Sequence, residues 1–228
     1  MDLSQEPIVA LVRSPTAGAQ VVLARGRLLS AVLLVLAATL VSGLGAVRIS
    51  GETYLDDLFF GATRHPLISA MLETLGTDRT AVVIYLVQRS FDAILVATAV
   101  TPIFVWLLGS SAVQASARLA GIRRPYLPLL VFFGYAAALT LIPANATTLA
   151  LGTGATVGAQ IAQLVGLVCL VWLGVLAYRG VRAYYEVDQA RATRILVIAL
   201  VLFYLVPLMV IVGAAVSIIV AAVVLGYF

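Results

Sequence analysis

Apolar residues in this chain do not alternate with polar ones but gather into five long runs. The first, 28–47, reads LLSAVLLVLAATLVSGLGAV without a charge, and the others occupy 90–109, 127–147, 158–178 and 195–226. About 20 apolar residues carry an α-helix across the hydrocarbon of a bilayer, so each run predicts one transmembrane helix. The first run exceeds the core of a cleaved secretory signal, about 7–15 residues, and reads as a membrane anchor. The last would reach roughly 45–50 Å as a helix. LMVIVGAAVSIIV within it holds no turn, so it counts as one crossing, with a kink expected at Pro207. The expected fold is all-α: a polytopic membrane protein with five transmembrane helices.

Between the first two runs, residues 49–80 mix acids with apolar side chains. Leu67, Ile68, Met71, Leu72 and Leu75 follow the spacing of one helix face, which predicts an interfacial helix in an outer loop. Residues 1–27 read as a cytoplasmic tail and 28–228 as a single membrane domain. Composition agrees: 63% of the 228 residues are hydrophobic and 11% charged, against roughly half and a quarter in soluble domains. No soluble catalytic domain fits beside the spans.

The charges orient the spans. All 14 basic residues are arginine. With five crossings, three segments fall on one side: the tail with Arg13, Arg25 and Arg27, the connection with Arg118, Arg123 and Arg124, and the connection with Arg179, Arg182, Arg191 and Arg194. Those ten face three on the other side, Arg48, Arg64 and Arg79, which are diluted by Glu52, Asp56, Asp57, Glu73 and Asp78. Cytoplasmic loops carry the arginine excess, which predicts a cytoplasmic N-terminus and an external C-terminus. Arginines placed at helix ends serve topology, so the basic balance indicates no nucleic-acid partner.

One arginine stands apart. Arg89 and Asp92 interrupt the second run three residues apart, on one helix face. A charge at the bilayer centre costs about 2.5–3.5 kcal/mol on insertion scales. With the apolar core at 90–109, the pair stands at its outer boundary. Thr140 and Asn145 close the third span on that side, and Gln160 and Gln163 open the fourth. Polar groups at membrane depth need partners, so Arg89, Asp92, Thr140, Asn145, Gln160 and Gln163 form a candidate polar cluster. Structural glue is the favoured role, ahead of a ligand or ion site. Small residues four apart, Gly158, Ala162 and Gly166, then Gly174, and Gly213, Ser217 and Ala221 in the last run, predict close helix packing within the chain.

Enzyme chemistry is not in evidence, and no catalytic, cofactor-binding or metal-ligating residues are assigned. HExxH, GxGD and protease-type serine motifs are missing from the sequence. The single histidine, His65, cannot supply two axial haem ligands and reads as a turn residue before Pro66. Cys169, the lone cysteine, forms no intrachain disulfide and reads as a buried inert thiol. The GTGATVG segment at 152–158 joins two membrane helices and lacks the preceding strand a dinucleotide fingerprint requires. The sequon NAT at 145–147 sits too near the membrane to be convincing. A secondary transporter should show repeated halves, and these unequal spans show none.

Residues 110–228 resemble the Yip domain family in its bacterial form. The resemblance is carried by RRPYLPLLVFFGYAAALTLIP, with Phe133, Gly134 and Tyr135 near the start of the third span. It continues in VWLGVLAYRGVRAYYEVDQARATRILV, where a tyrosine-containing turn leads to Arg191 and Ala192 at the opening of the fifth span. The family takes its name from eukaryotic proteins that interact with Ypt/Rab GTPases. The acidic-leucine-glycine-proline motif that precedes the first span in those proteins is missing here, so Rab-type binding is not carried over. The resemblance implies a five-span integral protein of the cell inner membrane with no catalytic residues or cofactor.

Three functions compete. The leading one is a non-enzymatic scaffold, partner-binding or membrane-organising subunit. Its candidate cytoplasmic contact surface is Arg179, Arg182, Tyr184, Tyr185, Arg191 and Arg194, facing acidic lipid headgroups or a protein partner. The second is a small channel or transporter using the polar cluster and the spans broken at Pro102, Pro143 and Pro207. The third is an accessory subunit of a larger redox or transport complex.

Overall fold

The computed structural model describes residues 7–52, 66–152 and 157–226. They form α1 (Pro7–Arg13), α2 (Pro15–Arg25), α3 (Leu28–Glu52), α4 (Pro66–Leu119), α5 (Tyr126–Leu151), α6 (Val157–Tyr185) and α7 (Gln189–Gly226). No strand occurs among the described residues. Segments Leu28–Gly51, Asp78–Leu119, Tyr126–Leu151, Val157–Tyr185 and Gln189–Gly213 are each long and apolar enough to cross a membrane. The protein is therefore an all-α, multi-pass membrane protein with five candidate spans.

The helices outrun the apolar stretches that announce them. The run at 90–109 is only the middle of α4. Gly76 breaks this helix with φ 76° and ψ 170°, a backbone region open essentially to glycine alone. Helix resumes at once, and the Thr80 hydroxyl donates to the Gly76 carbonyl at 2.8 Å. The segment from Pro66 to that break is the one expected to be interfacial; His65 and Leu58 to Phe60 lie outside the described residues. The last run is one helix, α7, with Pro207 inside it. Within the segment read as a tail, residues 7–25 form α1 and α2. Ser14 ends the first and caps the second, its side chain accepting from Ala17 N at 3.4 Å, and Pro15 follows at N1. A Cβ on Gly18 would fall 2.5 Å from the Leu11 backbone, so the two short helices touch main chain to main chain.

Contacts divide the chain into two compact units. One comprises Met1–Val32, Phe104–Ala136 and Leu173–Phe228. Leu11, Val22, Leu129, Phe132, Leu176 and Ile195 are fully buried in its core. Two glycines set its closest approaches. A Cβ on Gly180 would meet the Phe132 ring at 2.2 Å, and one on Gly134 would meet the Ala31 Cβ at 2.8 Å and Trp106 Nε1 at 3.1 Å. The bare Gly134 lets the indole reach α5, where Trp106 Nε1 donates to the Leu130 carbonyl at 2.8 Å. Elsewhere in the unit the Ser116 hydroxyl donates to the Ile195 carbonyl at 2.7 Å.

The other unit comprises Leu33–Ile103 and Ala137–Trp172. Pro102 has no N–H to give the carbonyl of Thr98 four residues earlier. The Ser42 hydroxyl of α3 supplies the missing donor, at 2.7 Å. Arg48 Nη1 donates to the carbonyl of Leu149, in the last turn of α5, where carbonyls lack intrahelical partners. In both cases a side chain of α3 satisfies an acceptor that the helix leaves open, as a medium without water demands.

Candidate functional site

The arginine face lies in the first unit, where α6 ends, α7 begins and α2 packs. Its frame is a network of polar bonds closed around two short connections. Gln114 of α4 donates to the Arg124 carbonyl at 2.8 Å and accepts from the Tyr185 hydroxyl at 2.6 Å. The Tyr184 hydroxyl donates to the Pro125 carbonyl. Arg124 Nη1 donates to the Tyr184 carbonyl at 2.5 Å, and Arg124 Nη2 pairs with Glu186 at 3.1 Å. The Tyr184 carbonyl belongs to the last turn of α6, where a cation complements the helix dipole. Glu186 follows with φ 54°, the left-handed conformation that ends many helices. Asp188 then caps α7, its Oδ1 accepting from Arg191 N at 3.2 Å.

Tyr184 and Tyr185, expected on the contact surface, are buried at 7% and 4% exposure with both hydroxyls bonded inward. They build the face rather than present it. The arginines behave differently. Arg191 and Arg194 are exposed, and Arg179 and Arg182 are half-buried. The last two flank one ring, each guanidinium carbon 5.8 Å from the Tyr178 centroid. A cavity of about 350 Å³ opens beside them, lined among others by Thr16, Gln20, Arg179, Arg182 and Glu186. Gln114, Arg124, Thr16 and Gln20 escaped sequence reasoning. The Ser14–Pro15 pair signalled α2 and so Thr16 and Gln20; nothing local distinguished Gln114 or Arg124 from other polar residues near helix ends.

The six groups of the polar cluster all belong to the second unit. Arg89 and Asp92 pair at 3.5 Å, with side chains 65% and 61% exposed. Arg89 also donates to the Tyr85 hydroxyl at 3.2 Å and lies over its ring, all on α4. Thr140 is buried and donates to the Ala137 carbonyl at 3.2 Å. Asn145 and Gln163 meet at one cavity of about 250 Å³, with Thr148. Arg89, Asp92, Thr140 and Gln160 do not line it. The small-residue ridges differ from expectation: Gly166, Gly174 and Gly213 have open space where a Cβ would stand, whereas Gly158 is close against Leu151. Among the described residues, no group of three His, Cys, Asp or Glu is placed to hold a metal.

No curated protein and no solved structure matches the chain. A family model described as the Yip1 domain matches residues 9–211. That match runs from within α1 to within α7, taking in the short N-terminal helices, the close approach at Gly134 and the whole arginine face. The chain belongs to the Yip1 domain family.

Proposed function

We propose that the protein is a non-enzymatic scaffold or partner-binding subunit of a bacterial cytoplasmic membrane, with its N-terminus inside and its arginine face toward the cytoplasm. The family is not one of enzymes. One observation carries the reading: Arg179, Arg182, Arg191 and Arg194 stand on a frame whose bonds are made by Gln114, Arg124, Tyr184 and Tyr185. The frame thus leaves those four guanidiniums for something outside it. The orientation draws on a second fact, that all ten arginines assigned to the cytoplasmic side belong to the first compact unit. Acidic headgroups and a membrane-associated protein are the partners this face suits.

A photo-reactive amino acid in place of Arg194, activated in native membranes, tests it. A discrete protein adduct, absent when the probe replaces lipid-facing Leu208, is the expected result. Indiscriminate or no cross-linking at both positions overturns the scaffold reading. A channel or transporter is favoured only by the Asn145, Thr148 and Gln163 cavity. Solute flux into liposomes containing the isolated protein, abolished by Gln163→Leu, would establish that alternative. The outer polar cluster is proposed as glue, and Asn145→Ala is expected to weaken the fold in detergent without affecting cross-linking at residue 194.

A further inference from the structure

The cavity on the arginine face carries more than a general affinity for partners. Among the described residues, neither Arg179 nor Arg182 donates a hydrogen bond or pairs with a carboxylate; their contacts are to the Tyr178 ring. A ring attracts a guanidinium but neither neutralises its charge nor takes up its N–H donors. Both residues are half-buried, and no acceptor among the described residues takes their N–H groups. Among the described residues, the neutral polar side chains lining the cavity are the Thr16 hydroxyl and the Gln20 amide, four residues apart on one face of α2. Among the described residues Glu186 is the one acid lining it, and Arg124 holds that carboxylate at 3.1 Å. The cavity is thus left with two unspent positive charges and two neutral donors.

We infer that this cavity binds a phosphate group, with Arg179 and Arg182 taking its oxygens and Thr16 and Gln20 donating from α2. Planar guanidiniums suit phosphate because they offer paired N–H donors. Position favours the phosphate of an anionic phospholipid. α6 has 29 residues, about 43 Å of helix against a hydrocarbon core of about 30 Å, so its terminal arginines reach headgroup level. A volume of about 350 Å³ holds more than the phosphate alone, leaving room for part of a headgroup. The inference rests on the reading of this face as a contact surface and names the chemistry it takes.

Native mass spectrometry of the full chain in mild detergent tests it, with phosphatidylglycerol, phosphatidylcholine or inorganic phosphate added separately. Phosphatidylglycerol is expected to be retained about tenfold more than phosphatidylcholine, and R179Q/R182Q to remove that preference. R179K/R182K, which keeps the charge without the fork, is expected to retain part of it. R13Q/R123Q removes two exposed charges outside both the cavity and the arginine face and is expected to leave the preference intact. Gln20→Ala, an exposed change, lowers retention even if the double arginine variant fails to fold. Retention of inorganic phosphate with the same arginine dependence supports the site with a free anion as its source. Equal loss in the two glutamine double variants, or no preference in the natural protein, overturns the site. The cross-link from position 194 would survive such a failure, because that position lies outside the cavity.

Discussion

At the scale of single residues, the two arginine–tyrosine groupings show why chemical type alone does not define a surface. Tyr184 and Arg179 stand five residues apart, yet one is spent on the frame and the other left over. Glycines divide in the same way. At Gly180 a Cβ would stand 2.2 Å from the ring of fully buried Phe132, and a close-packed core has nowhere to move that ring. Gly180→Ala is therefore expected to lower stability in detergent by about 1–3 kcal/mol, the usual cost of overpacking. Gly174, on the same helix, has nothing within 4 Å of that position. Gly174→Ala is expected to be neutral or to add about 0.5–1 kcal/mol through backbone entropy. Parallel thermal unfolding of the two variants checks both signs. Sequence spacing put Gly174 in a packing ridge and gave Gly180 no role, because the contact is made by a ring 48 residues away in the chain.

At the scale of helices, neighbouring side chains supply the donors that breaks and ends leave out. Ser42 serves the carbonyl that Pro102 leaves unpaired, so the two residues should be coupled. Ser42→Ala is expected to cost about 1–1.7 kcal/mol, toward the upper end for hydrogen bonds between membrane helices. In a Pro102→Ala background, the restored N–H at 102 bonds Thr98 itself, and the same Ser42→Ala change is expected to cost less than half as much. A double-mutant cycle on unfolding free energies measures the difference, and equal costs in both backgrounds would count against the coupling. Gly76 makes a simpler case: Gly76→Ala forces a side chain into φ 76°, ψ 170°, at about 1–3 kcal/mol. The number and type of the candidate spans were legible because hydrocarbon thickness imposes run length directly. Helix ends were not. α4 continues through Gln88, Arg89 and Asp92 because helical hydrogen bonding does not require an apolar side chain, and α1 and α2 are too short for periodicity to stand out. The resemblance read over 110–228 likewise stopped short of a family match that begins at residue 9, since its N-terminal part lies in those short helices and in featureless apolar sequence.

At the scale of the whole molecule, orientation is the remaining physical question, and parity makes it decidable. One candidate span, within α4, separates Ser50 from Ala120, so five crossings put those residues on opposite faces of the bilayer. Two spans, α5 and α6, separate Ala120 from Gln189 and return the chain to the starting face. On the orientation proposed above, the arginine excess marks the cytoplasmic face, and the ten arginines assigned to it lie in one compact unit. Replacing Cys169 by alanine leaves a chain without cysteine, into which single cysteines go at the exposed positions 50, 120 and 189. A membrane-impermeant maleimide added to intact cells is expected to label Ser50→Cys alone. Ala120→Cys and Gln189→Cys should react only after the membrane is opened. The inverse pattern would turn the protein over and point the phosphate cavity outward. Labelling of positions 50 and 120 from the same face would overturn the span count itself, because the single crossing between them keeps them on opposite sides in either orientation.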